Sequence, residues 1–410
     1  MNDRSLSKAS EFAEQGGSPE AGRREGAQRR ITAAFALAEP TDPPVIVWPF
    51  HYIACGCDPA RLPDDLFERP GAMTEFQTRL CEEHVEAVDD DFQPYLTPYL
   101  GTGVLASGFG CRMHFAPGRD PSVAGPCLQS VADAARLRLP DPQRDGLMPR
   151  VLELAAWMRA KGRYPVTLTD MQSPLDELIL MCGHERLYTW MYDEPQLVHE
   201  LFAQVSEAFI VWVKAQKQVT GEPLDVCHGE QGVWVPPGCG VWLADDEAVN
   251  LSPDLYAEFV SPSYPRIFRE FGGGILHFCG SGKHLAPILK NLEGLRAINT
   301  GPMGQPENFA ALQRGLEGKV PLIYQEMSPV HPGPYFANLL GRINLRGVIF
   351  APQVCDRFAT GDQGELVSVV QERRVAAKAI LDALRQQIEA KMREPERRED
   401  QSSSSGRAGK

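Results

Sequence analysis

Short apolar runs alternate with longer stretches whose apolar residues recur every three or four positions. The runs are Val45-Ile46-Val47-Trp48, Tyr164 to Asp170, Leu224 to Glu230, Gly240 to Asp246, Gly274 to Cys279, Leu295 to Asn299, Val320 to Glu326 and Gly347 to Cys355. Each is short, rich in β-branched or aromatic residues and bounded by Gly, Pro or carboxylates, which predicts a buried strand. Between them, Leu80, His84 and Val88 share a helical face, and Leu197, Leu201, Val205, Phe209 and Val213 step by four along a helix expected from about 195 to 219. Ser252 before Pro253 predicts a helix start, with the helix running to about Phe271. Further helices are expected over 283–292, 306–316 and 364–391.

Strands alternating with helices imply a largely parallel sheet. Several runs also end on polar residues, the pattern of a (β/α)₈ barrel, whose site lies at the C-terminal face of its strands. The alternative is an open doubly wound sheet. The expected layout is a disordered leader over 1–30, one barrel over 31–392 and a disordered tail over 393–410. Both ends are polar and lack apolar periodicity. Asp89-Asp90-Asp91 reads as a solvated loop.

A net charge of -13 argues against a nucleic-acid-binding face. The sequence shows neither an apolar run long enough to span a membrane nor a signal-peptide h-region, so a cytoplasmic location is expected. The ten cysteines are dispersed, as buried hydrophobes, ligands or catalysts are, rather than crowded as in a disulfide scaffold.

Three residues change the picture. His277 and Cys279 stand two apart in one strand and so share a face. Zinc takes nitrogen and sulfur ligands in tetrahedral sets, so this pair is half a site. Cys355, at the exit of another apolar run, supplies a third donor. Three protein ligands leave a fourth position open, as catalytic zinc sites do. The competing reading is a core histidine beside a buried cysteine. His284 would close the site if the zinc were structural. Glu326, Glu230 and Asp245, at expected strand ends, are candidate catalytic carboxylates or a resting fourth ligand, and Asp170 and His228 are candidate substrate-binding residues. Each of these also fits a solvated, capping or core role.

The run Ala244-Asp245-Asp246, Leu251-Ser252-Pro253, Tyr256, Phe259-Val260, Pro265-Arg266-Ile267, Gly273-Gly274 and His277-Phe278-Cys279-Gly280, with Gly347 to Pro352 and more loosely back to about Pro165, resembles the uroporphyrinogen decarboxylase superfamily. His-x-Cys with a distant Cys is similar to its zinc-dependent methylcobamide:thiol methyltransferase branch, and Cys279 and Cys355 stand 355 − 279 = 76 positions apart, about the separation expected there. The resemblance implies a TIM-type barrel that moves a methyl group from a methylated corrinoid to a thiol or related acceptor activated on zinc. The Asp-x-His-x-x-Gly signature of a cobalamin domain is missing, so the corrinoid is expected on a separate partner protein. The decarboxylase branch fits less well, because its Arg-Gln-Ala-Gly-Arg-Tyr-like segment is missing. The alternatives are a metal-free decarboxylase-like lyase and a non-catalytic module that binds a corrinoid protein.

Overall fold

The computed structural model describes residues 19–49, 56–301, 306–362 and 365–393. Five parallel strands form its regular sheet: β3 (Val241–Ala244), β4 (Gly274–Phe278), β5 (Leu295–Thr300), β6 (Leu322–Tyr324) and β7 (Val348–Phe350), paired in that order. Three extended segments close the sheet into a ring through isolated parallel bridges. Val45 pairs with Phe350 and Trp48 with Gln353, Leu96 pairs with Val166, and Gln172 pairs with Ala244. The first and second segments are joined where Asp91 N donates to Val45 O at 2.9 Å. The result is an α/β barrel of eight staves, the (β/α)₈ architecture expected from the sequence.

Helices cover the outside: α1 (Pro19–Phe35), α2 (Pro70–Ala87), α3 (Met148–Lys161), α4 (Pro174–Cys182), α5 (Pro195–Thr220), α6 (Tyr264–Glu270), α7 (Pro306–Gly315), α8 (Pro332–Leu340) and α9 (Arg373–Arg393). The inner α5 face carries Leu201, Val205, Phe209 and Val213, all fully buried, and Gly221 ends it in the left-handed conformation that glycine adopts without a Cβ penalty. From Pro253 to Glu270 the chain stays helical but passes through a π turn at Tyr256–Val260 and a 3₁₀ turn at Ser261–Ser263, where Pro262 removes a backbone donor. Ser252 caps this run, accepting from Leu255 N at 3.3 Å.

Four expectations are corrected. Residues 19–30 are not a loose leader but the first part of α1, whose Ala27, Ile31 and Ala34 enter the core; residues 1–18, and the tail beyond Arg393, lie outside the described residues. Residues 224–230 form no strand. They belong to a loop packed against the barrel staves, with Cys227 Sγ 3.8 Å from Thr167 Oγ1, Gly232 N donating to Tyr95 OH at 2.8 Å and Gln231 accepting from Gln325 at 2.9 Å. Their apolar content reflects burial and not pairing. The last helix starts at Arg373 rather than 364, because β8 (Phe358–Thr360) and β9 (Leu366–Ser368) form an antiparallel hairpin first.

The fourth correction concerns Asp89-Asp90-Asp91. Asp89 is exposed, but Asp90 accepts from Val47 N at 2.6 Å and contacts His84 Nε2 at 3.1 Å, and Asp91 accepts from Val45 N at 2.9 Å. Burial pushes the Asp91 carboxyl up, while the Arg30 guanidinium bonded to it pulls it back down. These carboxylates supply acceptors to the first stave, whose backbone has few ladder partners, and tie α1 to the barrel. Removing one partner of such a buried pair costs about 3–5 kcal/mol. Asp91→Ala should therefore lower the unfolding free energy by about 3 kcal/mol in a urea titration, while Asp89→Ala should change it by less than about 0.5 kcal/mol; equal effects would contradict this account.

Candidate metal centre

β4 is entered through Gly272, at φ +73°, and all five of its residues are buried. Its neighbours fix what its exit presents. His277 lies beside Ala244 of β3 on one side and Asn299 of β5 on the other. The Asn299 amide donates through Nδ2 to Ile323 O at 3.3 Å, which turns its Oδ1 toward His277 Nδ1, and the two are hydrogen bonded. An amide oxygen only accepts, so Nδ1 carries the proton and Nε2 keeps its lone pair. That lone pair faces the barrel mouth, where Nε2 is 3.4 Å from Cys279 Sγ and 3.4 Å from Asp246 Oδ1.

Asp246 stands two residues beyond Ala244, the last residue of β3, and its Oδ1 accepts from Cys279 N at 2.8 Å. Asp246, His277 and Cys279 place one donor atom each within 4.8 Å of one another, and among the described residues they are the cluster that could hold a metal ion. A tetrahedral zinc with Zn–S of about 2.3 Å and Zn–N or Zn–O of about 2.0–2.1 Å holds sulfur and nitrogen about 3.5 Å apart, and nitrogen and oxygen about 3.3 Å apart. The observed separations fit that set. The Cys279 thiol is pushed well above its usual range, first by desolvation and then by Asp246, Asp176 and Asp170. A thiol crowded by carboxylates ionises readily only when a cation shares the site, because metal binding displaces its proton.

The carboxylates around the cluster divide by role. Asp245 is fully buried and points away from the mouth, accepting from Ser173 Oγ at 2.8 Å and Tyr256 OH at 2.9 Å, while its backbone N donates to His277 O at 2.6 Å. Burial raises it to about 6 against the pull of these donors. It braces β3 against β4 and supplies no metal donor. Asp176, in the first turn of α4, accepts from Asp246 N at 2.7 Å and Glu247 N at 3.0 Å and so fixes the loop that carries Asp246. Asp170 is raised to about 6, chiefly by burial, and it interacts electrostatically with Asp246.

The structure brings together two of the three zinc ligands expected from the sequence. Cys355 is buried and stands outside the cluster, its Sγ accepting from Phe358 N at 3.3 Å near Asp356 and Arg373. Asp246 occupies the third place. Its signal was its position at the end of the expected Gly240 to Asp246 strand, but only the strand register distinguishes it from Asp245. His284 does not close the site; its Nε2 faces Leu251 O at 3.0 Å. Glu326 is buried beyond β6, accepting from Met327 N and Thr360 Oγ1, each at 3.1 Å. Glu230 and His228 belong to the packed loop rather than to a strand end: Glu230 bridges to Val233, and His228 N donates to Glu222, the carboxylate partner of buried Lys217.

Residues 99–227 match the family model described as uroporphyrinogen decarboxylase (URO-D). A curated relative, the uroporphyrinogen decarboxylase of Carboxydothermus hydrogenoformans, is 25% identical over 227 residues, or 51% of this chain; that match spans 59% of the relative's length, less than two thirds. Among solved structures, a methyltransferase from Methanosarcina mazei has a TM-score of 0.62 at 17% identity, over 88% of this chain and 99% of that one, a likeness of fold. The chain thus has the fold of an α/β barrel, and its residues 99–227 carry the similarity to the uroporphyrinogen decarboxylase family. The family match covers residues 99–227, and the motif residues over 244–280 and 347–352 lie C-terminal to it. The two relatives named are enzymes, a decarboxylase and a methyltransferase.

Asn299 is the residue whose removal tests the geometry. Outer-shell partners of metal-binding histidines are worth about 10–100-fold in metal affinity. Asn299→Ala should weaken zinc binding by roughly that factor in a chelator competition, and Asn299→Asp, which keeps an acceptor for Nδ1, should recover much of it. Unchanged affinity in Asn299→Ala would show that the imidazole is not the oriented donor described.

Proposed function

We propose that the protein is a zinc-dependent methyltransferase that moves a methyl group from a methylated corrinoid, carried by a partner protein, to a thiol or related acceptor. The observation that carries this reading is the Asp246, His277 and Cys279 cluster at the barrel mouth, with nitrogen, sulfur and oxygen donors spaced for one tetrahedral ion. Zinc bound there would supply Lewis acidity that lowers the pKa of a thiol or water entering its open position.

The chain's own residues do the rest. Asn299 holds the His277 tautomer, and Asp176 holds the Asp246 loop. Cys279 would give its proton to solvent on taking up a metal. Cys355 is proposed as a further sulfur donor that would have to leave its Phe358 contacts to join, or to replace Asp246. Asp170, in reach of the cluster's field, is proposed to accept or hold the acceptor's proton, as burial pushes its carboxyl up to about 6. Glu326 is the proposed polar wall at the β6 end of the mouth, and Asp245 a positioning residue. His228 and Glu230 are proposed to shape the mouth's floor through their loop. The reading also places the protein in the cytoplasm, where a reduced thiol at Cys279 persists; none of the described helices is long and apolar enough to cross a membrane.

A metal-free decarboxylation is the second reading, favoured by the family match and the curated relative. Electrostatics weigh against it. Asp170, Asp176 and Asp246 gather near the cluster, and a substrate bearing many carboxylates would be repelled by them.

Elemental analysis with a methylcobalamin assay separates the readings. Purified protein should carry close to one zinc per chain and demethylate methylcobalamin with at least one thiol of a panel, followed by the cobalamin absorbance change. His277→Ala and Cys279→Ser should each lose the zinc and lower the rate by about 100-fold or more. Zinc far below one equivalent and unaffected by Cys279→Ser would end the proposal, and zinc retained with no demethylation at any thiol would leave a binding module.

A further inference from the structure

A pair of cysteines stands outside the Asp246, His277 and Cys279 cluster. Cys111 and Cys127, sixteen positions apart, place their sulfurs 3.0 Å from one another. They flank a small hairpin in which β1 (Met113–His114) pairs with β2 (Ser122–Val123), and Ala124 N donates to Arg112 O at 2.8 Å just inside the two cysteines. The hairpin packs on the loop after the second stave. Gly101 there has φ +84°, and a Cβ on it would meet Pro121 O at 2.0 Å. Asp120, beside Pro121, adds to the field that raises Asp170. One end of the hairpin is therefore clasped by two sulfurs, and the other lies within electrostatic reach of the barrel mouth.

The surroundings of the two sulfurs differ. Cys111 is buried, 3.8 Å from Leu180 O, whereas Cys127 is half-buried and lines a cavity of ≈ 390 Å³. Asp133, Arg136, Arg138 and Asp145 line the same cavity, so it offers both signs of charge to a zwitterionic guest. Cys111 donates its S–H to Cys127, which favours the thiolate on Cys127 and holds the proton on Cys111. Nucleophile and resolving thiol are thereby distinguished by exposure as well as by hydrogen bonding.

We propose that Cys111 and Cys127 are a redox-active dithiol that reacts with a small zwitterionic disulfide entering this cavity, and that the product is a disulfide clasping the base of the hairpin. In the first step the Cys127 thiolate attacks one sulfur of the incoming disulfide. Its S–S bond breaks, a mixed disulfide forms on Cys127, and the departing thiolate takes a proton from water. In the second step Cys111 gives its proton to solvent and attacks the Cys127 sulfur, releasing the second small thiol. The two protein thiols are oxidised by two electrons, and the incoming disulfide is reduced to two thiols.

Oxidised glutathione is the probe. The full chain is incubated with it, quenched by alkylation and digested with trypsin. Cleavage after Arg112 and Arg119 separates the pair into peptides 80–112 and 120–136. The expected result is joint loss of alkylation at Cys111 and Cys127 and a linked peptide pair, with fragmentation placing the bond on Cys111 and not on Cys81 of the same peptide. Buried Cys182, raised to about 12, should stay reduced. Cys111→Ser should stop at a stable glutathione adduct on Cys127, and Cys127→Ser should form neither product. Alkylation of both residues at the untreated level, or a link through Cys81 or Cys182, would overturn the proposal; the wild-type measurement decides alone if either variant fails to fold.

Discussion

The hydrogen bond between Asn299 and His277 is the constraint on which the candidate site depends. It exists because β4 and β5 are in parallel register with these residues abreast, and because Ile323 of β6 takes the other half of the asparagine amide. Three neighbouring staves thus determine which imidazole nitrogen is protonated and where the other one aims. A barrel suits this kind of control, since each stave is held on both edges and its exit residues inherit that rigidity.

Around this fixed imidazole the fold concentrates negative charge. Asp170, Asp176, Asp245 and Asp246 come from the third stave, the start of α4 and the end of β3, and burial raises the first three. Ionising the buried acids and the thiol together costs desolvation and mutual repulsion. A divalent cation among them would relieve that burden while using the donors' geometry. The same electrostatics make the mouth a poor receptor for a polyanion. The Arg30 and Asp91 pair does the opposite at the first stave, where a guanidinium offsets a carboxylate that serves the backbone.

Much of this was legible in the sequence. The alternation of apolar runs and helical stretches gave the barrel, since β3 to β7 are short, buried and bounded by breakers. His277 and Cys279 were legible as a pair because strand alternation requires them to share a face. Asp246 was not, because adjacent carboxylates at a strand end cannot be told apart until the pairing with β4 turns Asp245 inward to Tyr256 and leaves Asp246 at the mouth. The direction of the Cys355 sulfur was equally hidden, being set by the turn to Phe358 and the β8–β9 hairpin. Residues 224–230 misled because a loop packed against the barrel staves needs the same apolar side chains as a strand. The first and third staves were marked by the runs at Val45 to Trp48 and Tyr164 to Asp170, whereas the second, around Leu96, was not among the apolar runs; isolated bridges and side-chain carboxylates stand in for part of their ladder.

Zinc K-edge X-ray absorption of the zinc-loaded protein tests the central claim most directly, because it reads the donor set without reference to turnover. The account predicts a sulfur scatterer at about 2.3 Å together with nitrogen or oxygen at about 2.0–2.1 Å, including imidazole, with the sulfur contribution reduced in Cys279→Ser and the imidazole signature lost in His277→Ala. A shell of oxygen and nitrogen alone, unchanged by either substitution, would contradict it.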